Sequence, residues 1–198
     1  MPGERASEDV RREQILQAAF EVASRAGIGG LTIRAVAAEA GLSHSLVVFY
    51  FQRKERLVHE LLEWLIGTTA VLHVPDDVAR MPGASDRLHA LLQRELARVS
   101  HQPKHTRLFF EYWARGAQDD AIRERIAAEL ERYRAAFRTI TGELLQGEPA
   151  FDGVSADAMA AVAVSWMHGC AVQAMIDPRQ FDTAEYLAAV RGFTARLA

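Results

Sequence analysis

The most chemically reactive side chains in this sequence are its histidines and its single cysteine, Cys170. His101 and His105 are four residues apart, a spacing that can place two metal ligands on one helix face. Pro103 lies between them and interrupts a shared helix, and no cluster of cysteines or carboxylates completes a ligand set. We therefore expect solvated surface histidines and no metal site. We expect Cys170 to be a small buried side chain, with an effector-sensing thiol as the alternative.

Catalytic motifs do not occur in the sequence. There is no glycine-rich phosphate loop, no nucleophile elbow and no pairing of carboxylates with histidines that is typical of acid–base catalysis. We therefore expect a protein that is not an enzyme and that needs no cofactor.

Aromatic and methionine side chains are concentrated in three segments of the C-terminal two thirds. Such residues at helical spacing more often form an ordinary core than a binding site. As a group, however, they offer an apolar cavity with a few polar tips, which a small-molecule site requires. The residues that we predict to bind a ligand are Phe110, Trp113, Tyr133, Phe137, Met167 and His168.

The composition is that of an ordinary globular chain. Of its 198 residues, 49% are hydrophobic and 25% are charged, and the formal net charge of −3 does not indicate nucleic-acid binding. The charged N-terminal segment lacks the apolar core of a signal peptide. A single cysteine excludes a disulfide within the chain, which fits a reducing compartment. We therefore expect a cytoplasmic protein.

One stretch, residues 158–176, contains no Asp, Glu, Lys or Arg and is long enough to span a bilayer. Ser165, His168, Gly169 and Gln173 interrupt it with polar or small groups. We therefore expect a helix that is buried in protein on all sides, and no membrane span.

Apolar residues recur at helical spacing along nearly the whole sequence, without a convincing hairpin signal. The pattern predicts an all-α protein of about nine helices. The first is expected at about residues 9–25, followed by a glycine-rich turn at residues 27–30. Thr32 is placed to cap a second helix, which Gly41 ends.

The segment Leu46–Phe51, LVVFYF, is ambiguous. Its β-branched and aromatic residues favour a strand by propensity alone, whereas Ser43 is placed to cap a helix. A capped helix, a tight turn at residues 41–43 and a second helix together make a helix-turn-helix motif. The first helix provides the third helix that such a pair needs behind it.

Residues from about 12 to 62 resemble the DNA-binding domain of the TetR family of bacterial transcriptional repressors. Residues 32–43 read TIRAVAAEAGLS and match the family signature T-x-R-x-[VI]-A-x-x-A-G-[LV]-S. The aromatic pair Tyr50–Phe51, and then Lys54 and Leu57, follow at the family spacing. The resemblance implies that Leu46–Phe51 belongs to a recognition helix.

The family pattern assigns a set of DNA contacts to this sequence. Phosphate contacts are expected from Thr32, Arg34, Ser43, Tyr50 and Lys54, and major-groove contacts from His44, Ser45, Leu46 and Phe49. Many family members carry a tyrosine at position 48 and a histidine or arginine at position 49, where this chain has valine and phenylalanine. Thymine methyl groups are possible partners for Leu46 or Phe49.

The C-terminal part resembles the BetI-like subgroup in three segments: LFFEYWARGAQDDAIRERI, SWMHGCAVQAMIDP and DTAEYLAAVRGFTARL. The resemblance implies a helix-turn-helix domain at residues 1–55 and a larger helical ligand-binding and dimerisation domain at residues 56–198. The expected partners are a palindromic operator in double-stranded DNA and a small-molecule effector, with a choline-like quaternary ammonium suggested by the subgroup. The alternative is a helical ligand-binding or scaffolding protein of the same fold that does not bind an operator.

A homodimer is expected through the last two helices, because both carry stripes that suit close helix approach. The small residues of the first stripe are Ala158, Ala161, Val162, Ser165, Gly169 and Val172. The second stripe consists of Leu187, Val190, Phe193 and Leu197.

Overall fold

The computed structural model describes residues 7–69, 74–146 and 151–195. These residues form ten α-helices and no strand, which confirms the all-α prediction. The helices are α1 Glu8–Gly30, α2 Ile33–Ala40, α3 His44–Phe51, α4 Lys54–Thr69, α5 Asp76–Ala79, α6 Ala84–His101, α7 Pro103–Gly116, α8 Asp120–Leu145, α9 Ala156–Ile176 and α10 Thr183–Thr194. The short α5 begins at Asp76, where the carboxylates of Asp76 and Asp77 favour a helical first turn.

The helices belong to two compact units. The first unit contains α1–α4, α7 and the start of α8, at residues 7–69 and 104–126. The second contains α5, α6, the rest of α8, α9 and α10, at residues 74–103, 127–146 and 151–195. The domain boundary at residue 55 stays a prediction.

Helix α1 provides much of the core of the first unit and is broken near its end. Gly27 has φ 71° and ψ 170° inside the span Glu8–Gly30, so the chain turns there and resumes a helical course. Gly27 alone of the three glycines of the predicted turn has a positive φ. A Cβ at this position would lie 2.9 Å from Oε1 of Glu111, so glycine is favoured for space as well as for conformation.

The core of the second unit is formed by α6, α8, α9 and α10, and its larger apolar side chains are almost fully buried. They include Leu88, Leu92, Leu96, Tyr133, Phe137, Ile140, Val164, Met167, Leu187 and Val190. Leu187 and Val190, predicted to lie at a dimer seam, thus pack inside their own chain. Phe193 is 64% exposed, and Leu197 lies outside the described residues.

Helix α9 is buried on one face only, which corrects the expectation of burial on all sides. Ala160, Ala163 and Cys170 lie in the core, whereas Val162 and Ile176 are exposed. Among the described residues, α9 is the one helix long and apolar enough to cross a membrane. Its packing against the other helices of the second unit is that of an ordinary core helix.

Candidate nucleic-acid interface

The turn between α2 and α3 is fixed by hydrogen bonds at both helix ends. Thr32 Oγ1 accepts from the N–H of Ala35 at 3.1 Å and caps the start of α2. At its end Gly41 has φ 66°, and the N–H of Leu42 donates to the carbonyl of Ala37 at 2.9 Å. These bonds have the pattern of a Schellman motif, which stops α2 and redirects the chain.

Helix α3 forms in spite of its strand-like composition, because capping and packing both favour the helix. Ser43 Oγ accepts from the N–H of Leu46 at 3.2 Å. Val47 and Phe51, four residues apart and therefore on one helix face, are both completely buried. Burial of this face outweighs the weak intrinsic preference of the same residues for a strand. The helical interpretation of Leu46–Phe51 is confirmed.

The opposite face of α3 lies in water. His44, Ser45 and Phe49 are exposed, while Leu46 and Tyr50 are half-buried. Phe49 is 74% exposed, and its ring centroid lies 5.3 Å from that of Tyr50 at an interplanar angle of 89°.

The remaining predicted DNA contacts lie in the same unit as this face. Thr32, Arg34 and Ser43 are exposed, and Lys54 is half-buried. The Lys54 ammonium donates to the carbonyl of Gly29 at 2.9 Å, so this side chain is held by the glycine turn at the end of α1. An ammonium has three donors, and two remain for a phosphate. The structure thus places all nine residues in one compact unit.

Arg12 fixes the end of α3, and sequence reasoning did not find this role. Its guanidinium pairs with Glu60 of α4 and lies 5.1 Å from the centroid of the Phe51 ring. It also donates to the carbonyl of Tyr50 at 3.5 Å. These partners are 38 to 48 residues away in sequence, so no local pattern could have revealed them.

The predicted ligand residues fall in both units. Phe110 and Trp113 belong to the first, with ring centroids 5.4 Å apart. The other four belong to the second and are Tyr133, Phe137, Met167 and His168. Phe137 and Met167 are core residues with 0% and 2% exposure, whereas the Tyr133 and His168 rings make an edge-to-face contact at 5.6 Å.

Tyr133 belongs to a polar cluster at the edge of the second core. The Arg98 guanidinium donates to the Tyr133 hydroxyl and to Glu95, both at 2.9 Å, and Glu95 is only 6% exposed. Burial, together with the positive charge of Arg98, lowers the pKa of His168 to about 4, so this imidazole is neutral at neutral pH. Burial also raises the pKa of Tyr133 to about 12. A few such groups in an apolar surrounding can orient a bound ligand.

Glu95 and Arg98 were missed because they are three residues apart on α6, which is the spacing of an ordinary solvated helix pair. Only their position beside the Tyr133 hydroxyl, 35 residues from Arg98, sets them apart.

Two protein families match this chain. The family of BetI-type transcriptional repressors, C-terminal domain, matches residues 82–198, which is more than half of the chain. The bacterial regulatory proteins of the TetR family match residues 15–61, the segment that contains α2 and α3. This chain belongs to the TetR family. It is therefore a transcriptional regulator with a helix-turn-helix domain, as the sequence resemblance implied.

Individual relatives of this TetR-family chain include an uncharacterised HTH-type transcriptional regulator in the dhlA 5′ region of Xanthobacter autotrophicus. The two sequences are 27% identical over 179 residues, which cover 89% of this chain and 85% of that protein.

Solved structures that share the fold include two with a bound ligand. A putative regulator from Saccharomonospora viridis in complex with choline has a TM-score of 0.74 at 18% identity, covering 95% of this chain and 97% of that one. FadR from Bacillus subtilis in complex with stearoyl-CoA has a TM-score of 0.71 at 16% identity, covering 94% and 99%.

Helix α4 of this TetR-family protein is held by α7. The hydroxyl of Tyr112, a residue with no exposed surface, donates to the carbonyl of Val58 at 2.7 Å. Because that hydroxyl is buried, the pKa of Tyr112 is raised far above its usual value and it remains a donor. On α1, the N–H of Ile28 donates to Glu111 Oε1 at 2.5 Å. Helix α7 therefore contacts both the helix that precedes the helix-turn-helix and the helix that follows it.

Asp119, just before α8, and the first turns of α8 also contact α4. His59 Nε2 lies 3.2 Å from Asp119 Oδ2, and Glu63 pairs with Arg125. The N–H of Ile122 donates to Asp119 and, with His59, lowers the pKa of that carboxyl, so it is ionised at neutral pH. Since α4 begins three residues after α3 ends, a displacement of α7 or α8 that moved α4 would also move α3.

Proposed function

We propose that this TetR-family regulator represses transcription as a homodimer that binds a palindromic operator, and that a small-molecule effector releases it. The observation that carries the proposal is the capped α2–turn–α3 unit, which buries one face of α3 and leaves the other in water. A helix presented in this way can enter the major groove. The protein acts in the cytoplasm and performs no catalysis.

The nine predicted residues divide by the part of DNA that they meet. Thr32, Arg34, Ser43, Tyr50 and Lys54 contact phosphates, where charge and hydrogen-bond donors contribute affinity without reading sequence. His44, Ser45, Leu46 and Phe49 face the base edges. Six of the nine side chains are exposed and the other three are partly exposed, so all nine are accessible to a partner.

Dimerisation through α9 and α10 would set the spacing of the two recognition helices. The exposed face of α9 consists of Ala158, Val162, Ser165, Val172 and Ile176, which recur at helical spacing along most of the helix. Phe193 of α10 adds a 64% exposed aromatic side chain. Two copies of these surfaces can form an isologous interface, which matches the twofold symmetry of a palindrome.

The effector domain is proposed to comprise residues 56–198. Within the second unit, Tyr133 and His168 are its polar contacts, and Phe137 and Met167 are its apolar side. Phe110 and Trp113 stay predicted ligand residues in the first unit. The effector favours a state in which the two α3 helices do not fit both half-sites, which requires tighter binding to that state than to the DNA-bound one. Since relatives of the same fold bind choline and stearoyl-CoA, a ligand screen has to identify the effector.

The experiment that tests operator binding is selection of a duplex from a random 30-bp library (about three helical turns) by the full chain, followed by titration of the labelled duplex. A repressor binds it with affinity that falls steeply as salt rises. The His44→Ala/Lys54→Ala variant should weaken binding by about tenfold or more. Wild-type affinity in that variant would disprove these two contacts, and salt-independent binding would favour the scaffolding alternative.

A further inference from the structure

We propose that Phe49 determines operator specificity by contacting the 5-methyl group of thymine in the major groove. The inference rests on the proposed operator binding and identifies the feature of the base pair that α3 recognises. Within the described part of the first unit, Phe49 is the most exposed large hydrophobic side chain, at 74%. A large aromatic ring in water is an unfavourable arrangement that a partner with matching apolar surface can relieve.

The polar groups of α3 leave little capacity for reading bases by hydrogen bonds. Ser43 Oγ already accepts from the N–H of Leu46 and lies 3.2 Å from Ser45 Oγ. His44 is the one other polar side chain ahead of a run of six apolar and aromatic residues, Leu46–Phe51. None of these three offers the bidentate donor and acceptor pattern that discriminates guanine or adenine strongly.

An apolar side chain can distinguish base pairs in the major groove through one feature only. Guanine, cytosine and adenine present donors and acceptors there, and thymine alone adds a methyl group. Phe49 therefore has one specific partner at the base edges. The same argument applies to Leu46, but Leu46 is half-buried and faces the motif's own core in part.

The surroundings of Phe49 hold its ring in a defined orientation. Its edge-to-face contact with Tyr50 joins ring centroids 5.3 Å apart. Tyr50 is itself half-buried, and its carbonyl accepts from Arg12, the residue that pairs with Glu60 of α4. The exposed ring is thus attached to a rigid part of the domain, which reduces the entropy lost on contact.

The position of Phe49 along α3 predicts where its thymine lies. Ser45 and Phe49 are four residues apart, so they share a face and are separated by about 6 Å along the helix axis. Base pairs are stacked about 3.4 Å apart, so the thymine should lie within about two base pairs of the base that Ser45 or His44 meets.

The test uses the full chain and the duplex that it selects from a random library. Each thymine is replaced singly by deoxyuridine, which keeps base pairing and every hydrogen-bonding group but lacks the methyl. At one position in each half-site the wild type should lose about threefold to tenfold in affinity. Phe49→Ala should bind the thymine duplex more weakly than wild type and show no further loss with deoxyuridine at that position.

Two controls identify the atom and the residue. Replacing the sensitive T·A pair by 5-methylcytosine·G should retain more affinity than the C·G pair, because the methyl returns. Leu46→Ala is the matched variant, and it should keep the deoxyuridine effect. The proposal is overturned if Leu46→Ala abolishes that effect instead, if Phe49→Ala responds to deoxyuridine as wild type does, or if no thymine is sensitive.

Failure of operator binding itself has a different signature. If the full chain selects no duplex, or binds without salt dependence, the proposed function fails and the role of Phe49 fails with it. If binding is tight and salt-dependent but indifferent to deoxyuridine at every position, only the role of Phe49 fails. Because Phe49 is exposed, Phe49→Ala should unfold at the wild-type temperature, so its binding data report on the interface.

Discussion

Helices α3 and α9 both have more apolar surface than their own unit covers, but they expose it in different forms. Helix α3, eight residues long, exposes one large ring, Phe49, and also carries the exposed polar side chains His44 and Ser45. Helix α9, 21 residues long, exposes a stripe of alanine, serine and branched aliphatic side chains from Ala158 to Ile176. A single exposed ring on a short helix that also carries polar side chains suits a nucleic-acid groove, whereas an apolar stripe along a long helix suits a second helix. Two apolar helices thus point to different partners, and the form of the exposed surface distinguishes them.

The largest expected effect is on the free energy of unfolding, and it should differ between the two faces of α3. Phe51→Ala removes a completely buried ring and should lower the free energy of unfolding by about 3–5 kcal/mol. Phe49→Ala, on the exposed face, should change it by less than about 0.5 kcal/mol. Urea denaturation followed by circular dichroism measures both. Equal losses in the two variants would contradict the assignment of one inner and one outer face.

The stripe on α9 can be broken without touching α3. Val162→Asp/Val172→Asp places two charges on that surface and should convert the proposed dimer to a monomer, with operator affinity lower by about 100-fold because only one half-site is held. Light scattering and duplex titration measure the two results. Val154→Asp, at an equally exposed valine outside α9, is the control and should stay dimeric. A double variant that remains a dimer would exclude this face from the interface.

The inner face of α9 carries a histidine whose charge state should affect stability. Folding lowers the pKa of His168 to about 4 from an ordinary value near 6.5, so the unfolded chain binds more protons between those values. Stability should therefore be greatest above about pH 6.5 and fall by about 1–3 kcal/mol as pH drops to about 4.

His168→Gln should flatten that dependence, which urea midpoints between about pH 4 and 7 can measure. Ser165→Ala, an exposed position on the same helix, should leave the slope as in wild type. A slope that His168→Gln does not reduce would show that other groups cause the pH dependence.

The smallest expected effect on operator binding concerns Lys54, the first residue of α4. Lys54→Gln should remove about one phosphate contact, lowering operator affinity about threefold to tenfold and the slope of log affinity against log salt by about one. Lys104→Gln, at a lysine paired with Glu21 on the same unit, matches the charge change and should alter neither. If both variants change the slope equally, the effect is one of overall charge rather than of contact.

The fold could be predicted largely from local signals. Thr32, Gly41 and Ser43 mark the ends of α2 and α3, and their hydrogen bonds lie within five residues of sequence. The stripe predicted on α10 shows what local signals cannot decide. Leu187 and Val190 have the spacing of a buried face, but spacing does not tell whether the covering helix belongs to the same chain or to a second copy. In this chain it belongs to the same core.

The site contacts that could not be predicted all join distant segments. Arg98 meets Tyr133 across 35 residues, and Tyr112 meets Val58 across 54. Nothing in the local sequence distinguishes these side chains from other polar residues on amphipathic helices. Their partners are known only once the tertiary packing is known.

The contact between Gly27 and Glu111 limits how this sequence can change over time. Any side chain at position 27 would have to adopt a positive φ and would displace the carboxylate that accepts the N–H of Ile28. A change at position 111 would leave that N–H without its acceptor. The two positions are therefore expected to covary: a homologue that changes one of them should also have changed the other.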